Sequence, residues 1–208
     1  MTTRLLWILV IAVAPWTSDA ASAKRDVVQI SGFSVDFHLA SKRQRKAVTA
    51  SLEKQLDMVK DAGLPDDVVE FAQSVAIVID PAMLSMTTNG QYMADSAPPH
   101  VRIKPARLPQ DRAIVLHELM HAYRYQVLKG ITPDIAAAYQ RALSPGVYPA
   151  EYREAAFLRN PDEYFANMAT TFLLGTSERQ PYSCSIILAA QPKFVGYLTS
   201  LFGPHPCR

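Results

Sequence analysis

His117-Glu118-Leu119-Met120-His121 is an HExxH pentad. Residues i and i+4 lie one turn apart on the same helix face. Two imidazoles at that spacing can reach a single zinc ion, with Zn–N bonds of about 2.0–2.1 Å. Glu118, next in sequence to the first imidazole, faces the open coordination position. There a carboxylate can take a proton from a water polarised by the ion and later hand it to a leaving amine. Zinc lowers the pKa of such a water to about 7, so the chemistry runs near neutrality. The bland alternative is two ordinary histidines on a partly buried helix. The apolar helical setting of the pentad favours the metal reading.

A catalytic zinc site keeps three protein ligands and one open position. The metzincin pattern needs a histidine where this chain has Val127, so that class is excluded. The downstream acids that are candidates for the third ligand are Glu151, Glu154, Asp162 and Glu163. Glu163 opens a helical stretch that begins Asn160-Pro161, and Asn167 stands one turn further on, placed to hydrogen-bond a ligand imidazole. The same residues also form a capping-box pattern. In it Asn160 is the N-cap, Pro161 takes the first helical position and Glu163 turns back onto its own cap. Spacing alone leaves the third ligand open among the four acids.

The stretch VLHELMHAYRYQVL, followed later by NPDEYFANMATTFLLG, resembles the gluzincin metallopeptidases. The resemblance is closest to their lethal-factor-like branch of small secreted peptidases, which carry HELxHAY and then N-x-x-E-[YF]-F-A-E. It covers about Val101 to Gly203 and is loose before that. It implies a zincin-like fold, zinc as cofactor, His117, His121 and Glu163 as ligands, and Glu118 as general base. Two departures stand out. The family's tyrosine upstream of the third ligand, which donates to the developing oxyanion, is replaced by Ala156. The family's frequent glutamate after that ligand is Asn167. Tyr148, Tyr152, Arg153 and Arg124 are the candidate substitutes for the tyrosine, and Tyr152 is the one taken here.

Several elements must position these groups. Val27 to Leu39 alternates around Ser31-Gly32 and reads as one or two strands. Ser41 caps an expected helix ending near Gly63, and a short helical stretch follows Pro65. Ser74–Ile79 reads as a buried strand stopped by Asp80-Pro81. Met83–Pro99 is polar and reads as a long loop. His100–Lys104 fits a short edge strand, and in gluzincins such a strand pairs with substrate backbone. Helices follow: one over the pentad to Gly130, one over Asp134–Leu143, one from Asn160-Pro161 to Gly175, and a last over Ser185–Leu201 broken near Pro192. Strands first and helices after argue for an α+β domain with a small N-terminal sheet and a mostly helical C-terminal half.

The 208 residues suit one domain, and 49% apolar with 19% charged residues describes a globular chain. A net charge of +2 gives no case for nucleic acid. Arg4, the apolar run Leu5–Ala14 and the small residues Ala21-Ser22-Ala23 read as a signal peptide over residues 1–23, with the mature domain at 24–208. The run is too short for a span, which needs about 20 apolar residues. The expected product is a secreted or periplasmic monomer, free of the membrane after cleavage, acting on a peptide or protein substrate. Export also favours a disulfide between Cys184 and Cys207. The competing reading, prompted by Ala156, is a catalytically impaired zinc- and peptide-binding module of the same fold.

Overall fold

A computed structural model describes residues 25–175 and 183–204. The leader expected over residues 1–23 and Cys207 of the expected disulfide lie outside the described residues. The chain is α+β. Strands β1 (Val27–Ile30), β2 (Phe33–Asp36), β3 (Ala76–Ile79), β4 (Gly90–Met93) and β5 (His100–Ile103) form one mixed sheet in the order β1-β2-β3-β5-β4. The outer pairs β1/β2 and β4/β5 are antiparallel, and the inner pairs β2/β3 and β3/β5 are parallel. Ser31 and Gly32, both at positive φ (50° and 87°), make the β1–β2 turn. This pair of conformations matches the right-handed twist of a two-residue hairpin.

Alternation along β2, β3 and β5 puts Phe33, Val35, Ile77, Ile79, Val101 and Ile103 into the core. That core also takes Val48, Leu52, Leu56 and Val59 from α1 (Lys42–Asp61), so the helix covers the sheet with one apolar stripe. Ser41 caps α1 in a complete capping box with Gln44. Helix α2 (Asp66–Ser74) leads into β3, and α3 (Ile114–Gln126) carries the pentad. Helices α4 (Pro133–Ala142), α5 (Pro161–Leu174), α6 (Cys184–Ala190) and α7 (Pro192–Phe202) complete the C-terminal half. Gly175 ends α5 in the left-handed conformation at φ 75°, the usual glycine stop.

Two expectations need correction. Met83–Pro99 is not a plain loop: the 3-10 turn Pro81–Ser85 runs into its start, and it holds strand β4. The strand at His100 is not an edge, because β4 pairs with its outer side. The polar edge strand that reads as loop displaces the apolar strand that reads as edge. The Arg102 side chain binds Gln91 and Asp80, and Lys104 donates to the Met86 carbonyl, which ties this whole segment to β5.

The same core continues into the helical half. Tyr164 is fully buried, with the rings of Tyr139 and Phe194 at 5.8 and 5.3 Å, and Tyr148 packs edge-on against Phe157 at 5.1 Å. Burial pushes the Tyr148 hydroxyl up to about 12 from 10.0, and burial followed by the neighbouring Tyr148 raises Tyr164 further. A folded-state pKa above the unfolded one gives stability that is complete below the unfolded value and lost as pH rises through the folded one. The melting temperature should therefore fall between about pH 10 and 12, in step with tyrosinate absorbance. Tyr148→Phe should weaken that dependence. A melting temperature indifferent to pH across this window would contradict the burial of the two phenols.

Candidate metal centre

Helix α3 runs under the cleft with its apolar face, Val115, Leu116, Leu119, Met120 and Ala122, in the core. His117 and His121 emerge on the other side, one turn apart. Their Nε2 atoms stand 3.1 Å from each other and the rings meet edge-on at 4.7 Å. Helix α5 approaches with Glu163 in its first turn. Glu163 Oε2 lies 3.5 Å from His117 Nε2, and Oε1 lies 3.6 Å from His121 Nε2. Among the described residues this trio is the group of side chains whose ligand atoms converge tightly enough for one cation. Two ligand nitrogens on a tetrahedral zinc would be roughly 3.3 Å apart given bonds of about 2.0–2.1 Å, so the donor set fits zinc.

At Glu163 the cap and the contact with the imidazoles occur together, because the cap takes only the backbone N–H. Asn160 Oδ1 accepts from the Glu163 backbone N–H at 2.8 Å, so the cap exists. The Glu163 carboxylate does not close the box and turns to the imidazoles instead. Asn167 donates to the Glu163 carbonyl at 2.8 Å and to Oε2 at 3.3 Å. Asn167 therefore steadies the carboxylate, not an imidazole as its spacing suggested. Asp162 is committed elsewhere, with Oδ1 2.6 Å from Arg124 Nε. That ion pair ties the start of α5 to the last turn of α3, next to Glu163 in sequence. Glu151 and Glu154 line the cleft but fall outside the trio.

Electrostatics follow the geometry. Burial opposes the charged form of His117, yet its hydrogen bond to Glu163 and the charges of Glu118 and Glu163 outweigh this and raise its pKa. Burial also opposes ionised Glu163, but hydrogen bonds from His117 and His121 and their charge hold it far below the usual carboxylate range. Glu163 is thus ionised at neutral pH, as a metal ligand must be.

Glu118 is only 8% exposed. Its Oε2 accepts from the Tyr92 backbone N–H at 2.8 Å. Lys104 donates to Asn89, so antiparallel alternation bonds Gln91 and Met93 to β5 and turns the Gly90 and Tyr92 backbone outward. Glu118 thus sits on the free edge of the sheet. Gly90 is what allows it. A Cβ there would stand 2.9 Å from Glu118 Cγ and from Ile114 Cγ2. The sequence signal for this strand is that single glycine in a polar stretch, a mark of close backbone approach.

The trio opens into a cleft of about 1620 Å³. Thr87, Thr88, Asn89 and Tyr92 line it on the sheet side, and Tyr152, Ala156 and Arg159 on the other. Arg124 also reaches it. Tyr148 is buried in the tyrosine cluster and, with Arg153, is absent from the lining, so of the four side chains Tyr148, Tyr152, Arg153 and Arg124 only Tyr152 and Arg124 reach the cleft.

Zinc present at a hundred times its dissociation constant should stabilise the fold by about 2.7 kcal/mol. The rise in melting temperature should vanish in His117→Ala, His121→Ala and Glu163→Ala, and persist in Glu151→Ala and Glu154→Ala. Loss of the zinc effect in Glu154→Ala but not in Glu163→Ala would reassign the carboxylate ligand. No protein-family model, curated protein or solved structure matches the chain.

Proposed function

We propose that this chain is a zinc-dependent metallopeptidase of zincin-like fold. The observation that carries the reading is the meeting of His117, His121 and Glu163 in one cleft with an anchored Glu118 carboxylate beside them. A zinc ion held by the trio would supply Lewis-acid polarisation and a water of pKa about 7. Glu118 takes one proton from the attacking water as the oxygen bonds to the scissile carbonyl carbon. It then delivers that proton to the amide nitrogen as the C–N bond breaks. The Tyr92 N–H on Oε2 holds the carboxylate in orientation while Oε1 exchanges the proton. Tyr152, from the facing wall, is the proposed donor to the developing oxyanion in place of the tyrosine that Ala156 lacks.

The substrate is an extended peptide. With the Tyr92 N–H held by Glu118, the outward-facing carbonyls of β4 offer it acceptors, and the side chains of the two walls bracket it. The described helices include none long and apolar enough to cross a membrane. The leader-like residues 1–23 are what support a secreted or periplasmic site of action. Ala156 favours one competing reading, a zinc- and peptide-binding module with little turnover.

Chelation should abolish cleavage of a peptide library, and added zinc should restore it. Glu118→Gln should abolish cleavage while zinc binding and the fold persist. Gly90→Ala should lower kcat with zinc affinity intact, because the new methyl displaces Glu118. Tyr152→Phe should lower kcat by about 10²–10³ if it is the oxyanion donor. Full activity in Glu118→Gln would remove the general base from the scheme. Tight binding of a hydroxamate with no peptide turned over would favour the binding module.

A further inference from the structure

Helix α3 begins without a cap of its own. Ala113, at its N-cap, has no side-chain acceptor to offer the first N–H groups. An uncapped start leaves orphan donors, which cost stability when buried. These donors are met from another element. Gln55, on α1 and fully buried, accepts through Oε1 from the Ile114 N–H at 2.7 Å and the Val115 N–H at 3.3 Å. Its Nε2 donates to the Pro109 carbonyl at 2.8 Å and the Arg112 carbonyl at 2.7 Å. One amide thus clamps both the first turn of α3 and the segment that leads into it.

The consequences reach the cleft directly. Ile114 is the residue whose Cγ2 faces the open position at Gly90, and Glu118 lies one turn beyond Ile114. His117 follows Ile114 by three residues, and its N–H bonds to the Ala113 carbonyl at 3.0 Å. The azimuth and axial position of this first turn therefore set where His117 and Glu118 stand relative to β4. A neutral amide can do this because it both donates and accepts. An apolar residue of the same length can do neither.

We infer that Gln55 is a positioning residue for the candidate metal centre: it replaces the missing N-cap of α3 and thereby fixes His117 and Glu118 against the edge of the sheet. The inference rests on the proposed function only for its link to zinc. The clamp itself is a property of the metal-free protein.

The test compares the metal-free wild type with Gln55→Met and Gln55→Glu by nuclear magnetic resonance, and then titrates each with zinc. In Gln55→Met the Ile114 and Val115 amides should lose protection from exchange and the His117 ring signals should shift. In Gln55→Glu a carboxyl group still accepts from both amides at a helix N-terminus but loses the donation to Pro109 and Arg112, so their protection should return part of the way toward wild type. Zinc affinity should drop about tenfold or more in the Met variant and recover in the Glu variant. Unchanged amide protection and ring signals in a folded Gln55→Met would overturn the inference. So would a Glu variant no better than Met, since capping would then not be the cause. Should the Met variant fail to fold, the Glu variant alone decides, by whether both amides stay protected. A wild type that binds no zinc, with the amide results as expected, would sink the metallopeptidase reading and leave the clamp standing.

Discussion

A carboxylate carried on α5 has to meet two imidazoles carried on α3, and the packing of these two helices against each other is what makes a metal centre conceivable. The helices share one core, to which α3 contributes Leu119 and Ala122 and α5 contributes Phe165, Ala166 and Ala169. Their relative rotation is fixed further by the Arg124–Asp162 ion pair beside the Glu163 carboxylate. Asn160 stops α5 from starting earlier, and Asn167 holds the carboxylate from the turn below. Each of these contacts is modest, and a partly exposed ion pair contributes about 1 kcal/mol or less. Together they restrict Glu163 to the one direction in which it faces both rings.

The sheet plays the complementary part. It presents a free edge to the side of α3 that does not face the core, and the Glu118 carboxylate bonds to that edge through the Tyr92 N–H. Burying a carboxylate costs several kcal/mol unless it is hydrogen-bonded. A group kept at 8% exposure for packing alone would be apolar. On the proposed function the buried acid belongs to the site, and it sits next to His117, whose protonation it favours.

Much of this was legible in the sequence, and the rest was hidden for physical reasons. The pentad, the Ser41 and Asn160 caps, the Gly175 stop and the Pro192 break are local signals, set by residues within one turn of where they act. Strand β4 escaped because it is only four residues long, opens with glycine and keeps a half-exposed polar face. Strand β5 looked like an edge because prolines bracket it, although β3 and β4 flank it on both sides. The choice between cap and ligand for Glu163 depends on residues of another helix, so no local pattern could decide it. Gln55 was invisible for the same reason: its partners lie more than fifty residues away, and in sequence it is one more polar residue on an amphipathic helix.

The two walls of the cleft differ in kind. The sheet-side wall, from Met86 to Tyr92, is fastened to β5 by the side chains of Arg102 and Lys104 as well as by the strand ladder. The facing wall is two short 3-10 turns, Ala150–Tyr152 and Ala156–Leu158, anchored inward mainly by buried Phe157. Altering the first wall means breaking a sheet, whereas the second presents the exposed side chains of Glu151, Glu154 and Arg159 on or beside its turns. On the proposed function, selectivity among substrates is therefore easiest to retune along residues 150–159, and divergence between proteins built on this plan should gather there while the strand opposite stays constant.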